Sequence, residues 1–189
     1  MKRLLVVVDY QNDFVDGSLG FAGAEMLDSV ITDKIKRYRA DAQDVVFTQD
    51  THYEDYLSTN EGIHLLVKHC ICGTRGHEFY GETALNTGNS PVFEKNTFGS
   101  DKLFDYLREH RYDSVELCGL VLGICVLSNA ILAKTALPEA EIIVDAAATA
   151  GNDRNFDLKV LGVLRGLQIE VLNFDGESVL PYENNKQAE

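Results

Sequence analysis

No apolar stretch in this chain approaches the roughly 18 residues that a membrane-spanning helix needs, so an integral membrane protein is not expected. Basic residues are scarce: 17 Lys plus Arg stand against 30 Asp plus Glu, a formal charge of −13. Sequence-independent nucleic-acid binding relies on neutralising phosphates with basic side chains, and this balance argues against it. It equally disfavours docking on anionic membranes. Cysteine is sparse, with Cys70, Cys72, Cys118 and Cys125. The Cys70–Ile71–Cys72 spacing does not match the usual zinc pairings, and one such pair cannot complete a site. A secretory leader is also missing from the expectation. The opening MKRLLVVVDY has two basic residues and an apolar run, but the run stops at Asp9 with no small-residue cleavage site behind it. A cytoplasmic protein with reduced thiols is expected, so each cysteine must be explained by burial or by reactivity. Internal repeats, low-complexity segments and a linker to a second domain are lacking as well. A single domain over residues 1–175 is expected, followed by a peripheral polar tail over residues 176–189.

What is present is an alternation of short β-branched runs with helical patterns. Arg3–Val8 (RLLVVV) is a continuous apolar run, as in a strand buried on both faces of a parallel sheet. A helix from Ala24 to Arg39 follows, with Met26, Leu27, Val30, Ile31, Ile35 and Tyr38 on one face. Further strands are expected at Asp44–Thr48, Pro91–Glu94, Ser114–Leu117, Glu141–Val144 and Gln168–Leu172, and further helices at Ser100–Glu109, Gly123–Leu137 and Asp153–Leu164. The stretch Gln49–Ser90 has weak periodicity, and a loop that long inside a compact domain is usually functional. The alternation implies right-handed crossovers and a three-layer α/β/α, Rossmann-like domain with a mostly parallel sheet of about six strands.

In open α/β sheets, ligands bind beyond the carboxyl ends of the strands. Three chemically capable residues fall at such ends: Asp9, Lys95 and Cys125. Cys125 lies in GLVLGICVLSNA, where a strand passes through a Gly-containing turn into a helix. A thiol at a helix N-terminus has its pKa lowered, and the same turn offers backbone N–H groups for an oxyanion. The alternative is a small buried hydrophobe. Asp9 is either a working carboxylate or a turn cap, and Lys95 either a working cation or a solvated side chain. Together they supply a nucleophile, a proton acceptor and a positive charge. The long loop adds Asp50, His52, Glu61, His64 and His69, a mixed N/O set suited to Zn, Fe or Mn, or else a solvated polar loop. His64, His77 and His110 have no comparable context of their own.

At this point the sequence resembles the isochorismatase-like cysteine hydrolases, and within them the nicotinamidases, from Leu4 to about Leu172. DYQNDF resembles the family's Asp-x-x-x-Asp-Phe opening, and FTQDTHYEDY the nicotinamidase strand and metal loop. HCICGTRGHEFYGE is similar to the His-Cys-x-x-Gly-Thr segment, FEKNTFGS to the lysine segment, and GLVLGICVLSNA to the nucleophile turn. The resemblance implies Asp9, Lys95 and Cys125 as the catalytic triad. It implies Asp50, His52 and His69 as ligands of a divalent metal, zinc before iron or manganese, with Glu61 as the fourth. It places a non-proline cis peptide at Leu120–Val121 and an oxyanion hole at the backbone N–H groups of Val121 and Cys125.

Three positions depart from the pattern. Tyr56 stands where many nicotinamidases carry a second loop histidine, Leu66 where an aromatic residue often packs on the pyridine ring, and Gly123 where Asp is frequent. Ring recognition is then expected from Phe14 and Phe98, with Leu66 contributing less than the usual residue. The implied reaction is hydrolysis of a small carboxamide, nicotinamide first, through a thioester. Another amide, carbamoyl or ureido hydrolase of the superfamily is the nearer alternative, and a catalytically silent small-molecule-binding protein the more distant one. The expected partner is a small-molecule amide, with neither nucleic acid nor membrane, and a homo-oligomer is compatible with this reading.

Overall fold

The aliphatic run Arg3–Val8 forms the first strand, β1, and every residue from Leu4 to Val8 is buried. A strand that hides both faces has no use for polar alternation, which is why its sequence is apolar throughout. In the computed structural model, which describes residues 1–174, the chain continues through α1 (Asn12–Val15), α2 (Leu27–Ala40), β2 (Asp44–Asp50), α3 (Asn60–His64) and α4 (Gly81–Leu85). It then forms β3 (Val92–Lys95), α5 (Asp101–His110), β4 (Ser114–Leu120), α6 (Leu127–Ala136), β5 (Glu141–Ala150), α7 (Arg154–Gly166) and β6 (Glu170–Leu172). The six strands make one sheet in the order β3-β2-β1-β4-β5-β6, and every pairing is parallel. The three-layer α/β/α fold forms as expected, with a sheet that is parallel throughout.

Alternate residues of β1 serve opposite layers. Leu4, Val6 and Val8 pack with Leu103 and Leu107 of α5, Ala130 and Ala133 of α6, and Val160 and Leu164 of α7. Leu5 and Val7 pack instead with Leu27, Ile31, Ile35 and Tyr38 of α2. Each Leu, Ile or Val among them contributes about 1.5–3 kcal/mol on burial. A buried polar cluster also pins α2 to the sheet. Lys34 Nζ lies 2.5 Å from Glu116 Oε1 of β4 and pairs with Asp145 Oδ2 of β5, while Tyr38 donates to Glu116 at 2.6 Å.

Several boundaries differ from those read in the sequence. β2, β4 and β5 run on to Asp50, Leu120 and Ala150. The β4–β5 register shifts between Leu117 and Gly119, so Leu117 pairs with Val144 but Gly119 with Thr149. The extra β5 residues are mostly alanine, which carries little strand preference of its own, and pairing with β4 decides their state. The helix expected from Gly123 starts as a π-turn over Leu122–Val126 before α6. The Gln49–Ser90 stretch holds α3, α4 and two 3₁₀ turns, at Tyr56–Ser58 and Arg75–His77. Asn173 is tied to the fold by donating to Asp145 Oδ1 at 2.7 Å. The tail expected over 176–189 lies outside the described residues. No helix among the described residues is long and apolar enough to cross a membrane.

Candidate active site

β1 has β2 on one side and β4 on the other, so the strand order reverses beside it, and a crevice opens at the carboxyl ends there. Asp9 follows β1 directly, with no exposed surface and a left-handed φ of 43°. Non-glycine residues in that region are strained, and such strain clusters at functional sites. Asp9 Oδ1 accepts from Thr48 Oγ1 of β2 at 2.7 Å, and Oδ2 lies 2.7 Å from Lys95 Nζ. Lys95 ends β3. Its ammonium also lies 3.1 Å from Asp50 Oδ1 and 3.7 Å from Cys125 Sγ. Asp9, Lys95 and Cys125, far apart in the chain, therefore meet at one point.

Burial governs the protonation of this group. It pushes the Asp9 carboxyl up, and the Lys95 ammonium offsets this only in part. Burial would lower Lys95, but the charges of Asp9, Cys125 and Asp50 prevail and raise it. The Cys125 thiol is driven well above its ordinary value, first by burial and then by Asp9, against the pull of Lys95. The lowered thiol pKa read from the helix-N-terminal position is thus overturned. The π-turn places Cys125 inside, 5% exposed, where desolvation of a thiolate outweighs the helix dipole. Burial thus disfavours the Cys125 thiolate until its neighbours Asp9 and Lys95 act on it.

The turn that carries Cys125 has a specific backbone. The Leu120–Val121 peptide is cis, where the resemblance placed it. Just before it, Gly119 has φ 108°, and a Cβ there would stand 2.1 Å from the Val8 carbonyl oxygen. Only glycine lets β4 approach β1 this closely. Val121 and Cys125, whose N–H groups were assigned to an oxyanion hole, flank the first turn of the π segment.

A second cluster adjoins the first through Asp50. Its Oδ1 faces Lys95, while its Oδ2 lies 3.1 Å from His52 Nε2 and 3.3 Å from His69 Nε2. Glu61 Oε1 is 3.6 Å and 3.5 Å from the same two nitrogens. Burial would raise the Asp50 carboxyl, but His52, His69 and Lys95 hold it well below the usual range. Burial would lower His69, but its hydrogen bonds to Asp50 and Glu61 win and push it up to about 10. Ligand atoms of Asp50, His52 and His69 all lie within 4.8 Å of one another. His52 Nε2 is buried without a hydrogen-bond partner. An orphaned buried imidazole nitrogen, converging with a carboxylate and a second imidazole, fits a divalent transition metal. His64 lies outside this cluster; its Nδ1 contacts the Asn60 carbonyl, and the residue is exposed.

Residues that the quoted motifs contain but that were given no role of their own hold these groups in place. Gln11, fully buried, accepts from the Asp50 N–H at 2.8 Å and donates to the Asp50 carbonyl at 2.9 Å. Asp13 accepts from the Cys70 N–H at 2.7 Å, where Cys70 has φ 46°. His52 in turn donates to the Cys70 carbonyl at 3.0 Å. This ladder brings His69 beside His52. Thr48 fixes the Asp9 carboxylate. The presence of Gln11 and Asp13 in DYQNDF, and of Thr48 in FTQDTHYEDY, was the available signal.

A cleft of about 760 Å³ borders the site, with His52 and Glu61 in its lining together with Leu65, Phe98 and Ile124. Phe98, expected at the substrate, is in this wall. Phe14 is buried against the His69 ring, with centroids 5.6 Å apart, and is not in the cleft lining. Leu66 is 76% exposed and also outside it; its neighbour Leu65 takes that place.

An isochorismatase domain profile matches residues 3–172. The chain belongs to the isochorismatase family. It is 29% identical over 185 residues to the nicotinamidase/pyrazinamidase of Mycobacterium tuberculosis, covering 90% of this chain and 98% of that protein. Among solved structures, the nicotinamidase PncA from Bacillus subtilis superposes with a TM-score of 0.81 at 26% identity, over 91% of this chain and 99% of its own. The N-carbamoylsarcosine amidase from Thermoplasma acidophilum gives 0.76 at 30% identity, over 93% and 98%.

Within this isochorismatase-family site, two of the departures have physical reasons. Tyr56 is fully buried, with its ring centroid 4.7 Å from His52 and 5.0 Å from His69, and its hydroxyl donates to the Leu65 carbonyl. It packs both imidazoles in place and offers no ligand nitrogen. At Gly123, an added Cβ would stand 2.3 Å from Phe156 Cε1 of α7. An aspartate there would have to displace that ring.

Proposed function

We propose that this protein is a metal-dependent cysteine amidohydrolase that converts nicotinamide to nicotinate and ammonia. The observation that carries the reading is the single Lys95 ammonium in contact with Asp9, Cys125 and Asp50, which joins a thiol–carboxylate pair to a metal-ligand cluster. The similarity to nicotinamidases over nearly the whole chain supports it.

As substrate enters and displaces water, Asp9 takes the Cys125 proton, and the thiolate attacks the amide carbon. Burial raises the Asp9 carboxyl, which makes it a stronger proton acceptor than a solvated carboxylate. The Val121 and Cys125 N–H groups hold the developing oxyanion. Asp9 returns its proton to the leaving nitrogen, the C–N bond breaks, and ammonia departs from a Cys125 thioester. Asp9 then takes a proton from water, whose oxygen attacks the thioester carbon. The C–S bond breaks, nicotinate forms, and the proton goes back to Cys125. Lys95 stays charged throughout and lowers the energy of whichever partner is anionic. Asp50, His52 and His69, with Glu61 beside them, would hold a zinc, iron or manganese ion, which would supply a Lewis-acidic anchor for a pyridine nitrogen.

A second reading, hydrolysis of an N-carbamoyl amide, is favoured by the 30% identity to the N-carbamoylsarcosine amidase. Ammonia release from nicotinamide, benzamide and an N-carbamoyl amino acid, with and without chelator, separates the two. Nicotinamide is expected to exceed benzamide by at least about 10²-fold in kcat/KM, toward the upper end of the roughly 10–200-fold that a packing mismatch gives. Equal rates for the two ring amides would remove the ring-nitrogen anchor. Rapid turnover of the carbamoyl compound alone would establish the second reading.

A further inference from the structure

The cleft that His52 and Glu61 line also carries apolar surface to which no step of the reaction assigns a role. Phe98 is 46% and Ile124 43% exposed, although one lies three residues after Lys95 and the other immediately before Cys125. Their backbones are fixed. Buried Asn129 of α6 donates to the Phe98 carbonyl at 3.2 Å and to the Cys125 carbonyl at 2.8 Å, and accepts from the Ser100 N–H at 3.0 Å. Gly99 is wedged against α6, since an added Cβ would stand 2.7 Å from Leu132 Cδ1. One asparagine thus ties both halves of an open apolar wall to the nucleophile turn. Large side chains left half exposed on a rigid frame form a preorganised binding surface.

The size of the cleft points the same way. About 760 Å³ falls in the range of roughly 300–1,000 Å³ typical of sites for drug-sized ligands, whereas nicotinamide is one ring and one amide group. Leu66 stands outside the lining and does not narrow it. We infer that Phe98 and Ile124 form an apolar subsite for a substituent carried on the ring of the amide substrate, so that ring-substituted aryl carboxamides are better substrates than nicotinamide itself. This rests on the amidohydrolase reading above and specifies its substrate class.

The test is kcat/KM, by ammonia release, for nicotinamide and for nicotinamides bearing methyl, ethyl or phenyl at ring positions 5 and 6. At least one substituted amide is expected to exceed nicotinamide by about tenfold, the lower end of what filling an apolar pocket gives. In Phe98→Ala and Ile124→Ala that ratio should fall to within about twofold of unity, and Phe98→Leu should keep part of it. Reading a ratio within each variant cancels any general loss of activity, and the substrate series on the unmodified protein stands even if a variant fails to fold. Nicotinamide outperforming every substituted amide would overturn the subsite and leave the amidohydrolase reading intact. So would a ratio unchanged in both alanine variants. Hydrolysis of none of the amides would overturn both.

Discussion

Lys95 Nζ touches Asp9, Asp50 and Cys125, so each of those side chains is expected to matter for turnover in its own way. Cys125→Ala should abolish ammonia release while leaving the thermal midpoint close to that of the parent; retained amide hydrolysis would remove covalent catalysis. Asp9→Asn and Lys95→Ala should each lower kcat by at least about 10²-fold at saturating substrate, the usual contribution of such groups. Their positions were legible because each lies at or just beyond a strand end in a fold whose sites gather there. The state of the thiol was not, because burial depends on the π-turn that no local pattern announces. Gln11 stood in a quoted motif, but its role was hidden: its side chain acts on the backbone of Asp50, 39 residues away. Gln11→Ala should strip both hydrogen bonds from the Asp50 backbone and weaken metal affinity about 10–100-fold, the usual cost of losing a group that orients a ligand. Metal titration of the purified variant, followed by bound-metal analysis, checks this; unchanged affinity would mean that β2 alone positions Asp50.

Between α2 and the sheet, Lys34 meets Glu116 and Asp145 in a site sheltered from water. Burial would raise Asp145, but hydrogen bonds from Lys34 and Asn173 hold its carboxyl below the ordinary 3.8. The unfolded chain therefore takes up that proton first as pH falls. The stabilisation is complete above the ordinary carboxylate value and is lost as pH drops through the lower folded value. Lys34 has the opposite sense, its ammonium raised above 10.5 by Asp145 and Glu116 against burial, so its contribution holds below that value and fades in strong alkali. Urea midpoints of Asp145→Asn should accordingly fall less than those of the parent between about pH 5 and pH 2. Parallel curves would show that Asp145 is not the linked group. This cluster sits where prediction of β5 from sequence stopped early. Glu141–Val144 is a recognisable β-branched strand, whereas the following alanines become strand only because β4, Asp145 and α2 close around them. The short helices of the 49–90 stretch escaped for a similar reason: α3 and α4 are barely more than one turn each, held by neighbours rather than by any amphipathic repeat.

For the molecule as a whole, the alternation of apolar runs and helical faces was enough to specify three layers and a parallel sheet, while strand order came only from the structure. That order has a consequence for how the chain is made. β1 is one of the two innermost strands and the most apolar, yet one of its two neighbours, β4, lies more than a hundred residues later in the chain. At about 5–20 residues per second, the nascent protein carries RLLVVV with one flank unpaired for several seconds. Chains ending after α5 should therefore aggregate when released, as read by sedimentation, and chains extended through α6 should do so much less. Soluble, monomeric behaviour of the shorter chain would show that α2 and β2 shield β1 by themselves. The strand that anchors the finished fold is, during synthesis, its most exposed liability, and a chaperone that holds short aliphatic segments would meet it first.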